Sequence, residues 1–360
     1  MNKLDLYNSE KLDRLRGQQD PLADHAVSKL LIRPDIIESI NSWDQIPDNF
    51  PKNFPKEING FFNFYTEPFP FESQFSGLRH VQEIFFKHLT LMLSLLGLYA
   101  LPYTYAFGNG AEVLVRSRRM VEDPGRRLAE TALFILECYR PGAFLEDKRI
   151  FLVLAKVRLI HAFSRHFIQK YDNTWDFSWG SPINQEDMMA TNLSFSLLIY
   201  RGMRKAGVNL GQSDKEALLQ YWKCIGYYLG LNMDFLPDSP KEAFELEKMI
   251  KRRHLRASSA GKTLIKSLLH HYQNGLLQPA IAPFSADLMA YFLGKPISEV
   301  LDIDPKNQIP DFVLGAVMAF SLFGLGGKPK SFLEFYAQFR KNTAVKFGEN
   351  VTIKLPERKH

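Results

Sequence analysis

Cysteine is nearly absent from this chain. Its 360 residues carry two, Cys138 and Cys224. Two cysteines cannot build a disulfide framework, and without a Cys-x-x-Cys there is no thiolate zinc site. A reducing compartment is the default. The opening MNKLDLYNSEKLDRLRGQQD lacks an apolar signal core, so no export signal is expected and a cytoplasmic location is. Charge of one sign is also scarce. Lys plus Arg is 45 against 39 for Asp plus Glu, a net +6, too thin a surplus over this length to argue for nucleic acid as a partner. The one dense run, Lys251-Arg252-Arg253-His254, reads as a basic helix face in water. Glycine (22) and proline (20) are too few for a fibrous or low-complexity chain.

Most motifs that carry chemistry are missing too. There is no His-Glu-x-x-His, no pair of Glu-x-x-His for a di-iron bundle and no Gly-x-Ser-x-Gly elbow. Gly261-Lys262-Thr263 imitates the end of a phosphate-binding loop, but the first glycine of that loop would be Arg256. Gly324-Leu325-Gly326-Gly327 follows a helical pattern and reads as a helix stop. His270-His271 reads as an exposed helix end. Alternating strand patterns are nearly absent, and the fold class is all-α.

What remains is helix. Apolar residues recur at three- and four-residue intervals over Lys148 to Lys170. Asp123-Pro124-Gly125 supplies an N-cap and a first-turn proline, and Pro141-Gly142 stops that helix near Arg140. Further helices are expected at Gln185–Ala206, Ser213–Leu231, Pro240–Ile250, Lys262–Gln273, Ala286–Leu293 and Phe312–Phe323. His88 to Ala111 has no charged residue and enough length to span a bilayer, but Pro102, Asn109 and three tyrosines interrupt it. A buried core helix ending near Pro102 is preferred to a span, and membrane association is not favoured. The Phe- and Pro-rich stretch 42–76 predicts an extended arm clamped over the body. Residues 1–345 read as one helical domain, with 1–76 as the wrapping arm and 346–360 as a polar tail that frays.

Two helices carry unusual polar groups. On the first, Arg127 and Thr131 lie four apart on one face, continued by Phe134 and Cys138, with Glu130 beside them. On the second, Arg158, His161 and Arg165 share a face. A buried Arg needs an anion, a ligand or a hydrogen-bond network. A His flanked by two Arg disfavours the imidazolium, and neutral imidazole is the metal-ligating form. The arginines suit the carboxylates of a cofactor, such as haem propionates. The same residues also fit a bland reading: His161 as a hydrogen-bonded core residue and Arg127–Glu130 as a surface ion pair.

Several blocks bear on that choice: Asp20-Pro-Leu-Ala-Asp24, Arg127-Leu-Ala-Glu-Thr131, Lys156-Val-Arg-Leu-Ile-His161-Ala, Gly180-Ser-Pro-Ile-Asn-Gln-Glu-Asp187 with Phe195-Ser196, and Tyr221-Trp222 through Gly226 to Gly230. In these blocks, and in their order, the chain resembles the latex clearing protein (rubber oxygenase) family and the wider family shared with MpaB-type oxygenases. The resemblance spans roughly residues 20 to 275. It implies a mostly helical, globin-like protein that binds one b-type haem (iron), with His161 as proximal ligand and Arg127 and Thr131 on the distal side. Rubber-cleaving members have Lys where this chain has Glu130, which weakens any transfer of rubber as substrate. Those members use an upstream carboxylate as base, for which Glu112 lies in about the right stretch. Arg158 and Arg165 are expected as propionate or structural partners.

The resulting expectation is a haem b-dependent oxygenase that uses O2 on a small apolar alkene, isoprenoid or lipid-like. Dioxygen would bind opposite His161, near Arg127 and Thr131, with Glu130 or Glu112 moving a proton. Competing expectations are a haem protein that is not an oxygenase, such as a peroxidase-like enzyme or a gas binder, and a haemless helical interaction protein.

Overall fold

Capping chemistry sets the helix starts. The Asp123 side chain accepts from the Arg126 amide (3.0 Å), and Pro124 occupies the first helical position, giving the helix Pro124–Cys138. Asp20 does the same for Pro21–Leu30 and Ser239 for Pro240–His254. The structure is a computed structural model that describes residues 3–71, 75–277, 279–319 and 329–357. Among these there are only helices, turns and two isolated bridges, so the all-α expectation holds.

The long periodic segment forms Arg149–Tyr171, within a residue or so of its predicted bounds. Gln185–Ala206 divides at Ser196 into Gln185–Phe195 and Leu197–Lys205. The expected Phe312–Phe323 helix is present as Asp311–Ala319; the residues beyond it, including Gly324-Leu325-Gly326-Gly327, lie outside the described residues.

Three expectations need correction. The charge-free helix does not end near Pro102. Leu89–Leu95 passes through a π-turn at Leu96–Ala100 into Leu101–Tyr105. The wider turn shifts the hydrogen-bond ladder by one residue, and Pro102 falls at the start of the next segment, where its missing N–H costs little. Leu89, Leu91, Leu93, Leu95 and Leu98 are all buried, each contributing about 1.5–3 kcal/mol. Leu197–Lys205 lies against this helix, where a Cβ on Gly202 would come within 2.8 Å of the Leu95 side chain. Among the described residues no single helix is long and apolar enough to cross a membrane; one pair, Gly77–Lys87 with Leu89–Tyr105, passes only jointly and is bent by 86°.

Second, the Phe-rich arm is buried but not wholly extended. Lys56–Thr66 is a helix whose Phe61, Phe62 and Tyr65 enter the core, and Trp43 and Phe54 stack beside them. With Pro21–Leu30 it packs on Arg149–Tyr171. Third, the tail is docked. Val351 and Leu355 are buried, and Asn41 both donates to the Leu355 carbonyl (3.1 Å) and accepts from its amide (2.8 Å). Overall polarity hid two apolar anchors spaced four residues apart.

Candidate functional site: the His161 and Arg127 helices

Helices Pro124–Cys138 and Arg149–Tyr171 pack together, and each presents a half-open stripe. On the first the stripe is Arg127, Glu130, Thr131 and Phe134, while Leu128, Ala129, Ala132 and Leu133 behind it are buried. On the second it is Val153, Val157, Ile160, His161 and Ser164, backed by buried Leu154, Leu159 and Ala162.

Depth and accessibility disagree here in an informative way. The Arg127 side chain keeps 38% of its surface accessible, yet burial holds its guanidinium below the usual arginine range. Burial likewise pushes the His161 imidazole down to about 3, aided by Arg165 and Arg127 and opposed by Asp20. A side chain this deep that still keeps accessible surface borders a hollow in the fold. His161 is neutral at physiological pH, and its Nδ1 is buried with no hydrogen-bond partner. Tyr105, whose phenol acts electrostatically on Arg127, also has a buried hydroxyl without a partner.

Arg127 Nη1 donates to Thr131 Oγ1 (2.9 Å), which in turn donates to the Arg127 carbonyl (3.0 Å). The helical spacing thus locks the two together as the sequence implied. Glu130 is bound by Arg119 from the single turn Arg119–Glu122 and lies 4.0 Å from Arg127. The pair expected at the surface is an Arg119–Glu130–Arg127 chain at the rim of the hollow. Glu112 lies on the helix Gly108–Arg116. Its carboxylate is taken by Arg116, which also binds Asp172 and lies over Trp175 and Trp179.

Arg158 and Arg165 are structural. Arg158 donates to both oxygens of Asp20 (2.6 and 2.8 Å), with Phe61 and Phe64 over its guanidinium. Arg165 binds Asp24 (2.8 Å). Both arginines are buried, and the chain's own carboxylates occupy them, as in the structural one of their two expected roles. Asp20 and Asp24 were missed as functional partners. The available signal was two carboxylates one helical turn apart facing two cations two turns apart.

The other blocks build the surrounding shell. Gln185 donates to the Gln19 and Gly230 carbonyls (3.1 and 2.9 Å) and accepts from the Asn232 amide (2.8 Å). Glu186, fully buried, gathers Arg16 (3.2 Å), Arg253 (2.8 Å) and His254 (2.9 Å). Half of the basic run read as a solvated face is therefore spent inside the protein. His271 departs from the exposed-end reading as well, since it is half-buried against Gly125.

The residues fit a haem better than a bare metal site. Among the described residues no group of three or more His, Cys, Asp or Glu could hold an ion. A porphyrin brings four nitrogen ligands of its own and needs only one from the protein, here a deep, neutral imidazole beside apolar Val153, Val157 and Ile160.

The family profile described as "ER-bound oxygenase mpaB/B'/Rubber oxygenase, catalytic domain" matches residues 88–321. A rubber oxygenase of Streptomyces sp. (strain K30) is 26% identical over 213 residues, 55% of this chain and 51% of the relative. The alignment thus spans about half the length of that curated relative. The solved structure of latex clearing protein in its closed state superposes with a TM-score of 0.69 at 19% identity, covering 91% of this chain and 90% of the other. That likeness establishes the fold.

Proposed function

Because the chain belongs to the mpaB and rubber oxygenase catalytic-domain family, we propose that it is a haem b-dependent oxygenase acting on a carbon–carbon double bond of an apolar, isoprenoid or lipid-like substrate. The observation that carries this reading is a deep, neutral His161 within electrostatic reach of the half-open Arg127–Thr131 couple. Bound there, haem would supply an iron at which dioxygen is activated. His161 would hold that iron through a ring nitrogen, and its low basicity keeps the nitrogen free of a competing proton.

Arg127 spends one N–H on Thr131, and its remaining donors suit an oxygen that gains negative charge during reaction. Thr131 fixes the Arg127 rotamer, and its hydroxyl can orient a water or substrate group. Glu130, bound by Arg119 and 4.0 Å from Arg127, is better placed than Glu112 to take a proton from an allylic carbon. The apolar stripe Val153, Val157, Ile160 and Phe134 would exclude water and receive a hydrocarbon chain.

The test is a haem titration followed by turnover. Purified protein should take up haem with a b-type haemochrome. It should then consume O2 in the presence of an isoprenoid alkene and release carbonyl products. A loaded protein that leaves every alkene untouched would leave a haem protein without oxygenase activity. A protein that takes up no haem would overturn the reading.

A further inference from the structure

We infer that Asp20 is a positioning residue for His161, setting the orientation of the helical turn that carries the imidazole; this rests on His161 being the haem ligand.

Four independent features converge on the Arg158–Asp20 pair. It is bidentate, at 2.6 and 2.8 Å, with each side chain 6% accessible. Arg158 precedes His161 by three residues on one helix face, so whatever fixes the guanidinium fixes the turn that carries the imidazole. Asp20 is also the N-cap of Pro21–Leu30, accepting from the Ala23 amide (3.4 Å). One carboxylate thus joins the end of the arm to the ligand-bearing helix.

Gly230 shows how tightly the pair is built in. Its φ is +80°, and an added Cβ would lie 2.6 Å from both Arg158 Nε and Asp20 Oδ2. Only glycine fits this conformation and this approach. Carboxylates that serve a ligating histidine from behind commonly set its orientation and basicity. Here the carboxylate acts through an arginine.

The experiment compares haem-loaded wild type, Asp20→Asn and Glu186→Gln. The last breaks a buried ion cluster that contains neither Asp20 nor Arg158. Three readouts are taken: helical content, the rate of haem transfer to excess apomyoglobin, and the haem midpoint potential. Asp20→Asn should keep its helicity and release haem about 10- to 100-fold faster. Its potential should rise, because a negative charge near the iron has gone. Glu186→Gln should leave the potential unmoved. A wild-type release rate and potential in Asp20→Asn, or an equal shift in Glu186→Gln, would overturn the role.

If Asp20→Asn does not fold, Gly230→Ala carries the test, since it keeps every charge and forces the pair apart. Faster haem release is expected from this variant as well, and its absence is equally fatal. A wild type that binds no haem would overturn the oxygenase reading and this role together. A haem-binding wild type with a silent Asp20→Asn would overturn only the role.

Discussion

The two sides of His161 use the same residue type to opposite ends. Behind it, Arg158 and Arg165 are buried and ion-paired with Asp20 and Asp24, although Arg158 Nη1 and Arg165 Nη2 make no hydrogen bond. In front, Arg127 is deep yet open, with one hydroxyl and a carboxylate at 4.0 Å for company. A guanidinium matched by a bidentate carboxylate has few donors left for a ligand. One that is desolvated and only partly matched is poised to bind whatever brings negative charge to the hollow. Satisfaction of the cation, rather than its burial alone, separates framework from site.

The largest test of that contrast is stability. Arg158→Ala leaves Asp20 as an unpaired buried anion and should cost about 3–5 kcal/mol. Arg127→Ala should stay within about 1 kcal/mol, since that side chain is already open. Chemical denaturation of both apoproteins checks this, and equal losses would erase the distinction. Turnover should invert the order. Arg127→Ala, with haem content unchanged, is expected to lose about 10²–10³ in kcat.

The two candidate carboxylates sharpen the comparison next. Glu130→Gln should lower kcat about a hundredfold. Glu112→Gln should change it by no more than a few-fold, because Glu112 serves Arg116 and the Trp175–Trp179 corner. Steady-state rates on one alkene decide between them, and the reverse ranking would move the base to Glu112.

The smallest effect is a pH slope in the apoprotein. Above about pH 6.5 His161 is neutral in both folded and unfolded states and contributes nothing. Below that pH the unfolded chain takes up a proton that the folded protein refuses until about pH 3. Stability should therefore fall with acidification by up to about 1.4 kcal/mol per pH unit from this group alone. Denaturant midpoints at pH 7 and pH 5, for wild type and His161→Phe, should show a shallower acid slope in the variant. Identical slopes would mean that His161 is not held neutral.

The sequence made the helices legible wherever periodicity and caps coincided, as at Asp123-Pro124 and Arg149–Tyr171. It also made Arg127–Thr131 legible, because a spacing of four on a helix leaves little choice. It could not reveal that Pro102 would be absorbed by a π-turn, since that depends on the packing of the preceding leucines. Nor could it show that Arg253 and His254 would turn inward, because their partner Glu186 lies almost seventy residues away. The roles of Asp20 and Gly230 were hidden for the same reason. Each looks like local capping or turn chemistry until the fold brings them to Arg158.

The central claim is that His161 closes one end of a haem pocket whose framework lies behind it. The most direct measurement is haem content by pyridine haemochrome in wild type and His161→Ala, expressed with haem precursor and matched for helicity. The account predicts close to one haem per chain in wild type and almost none in the variant. Equal haem in both, in folded protein, would contradict it.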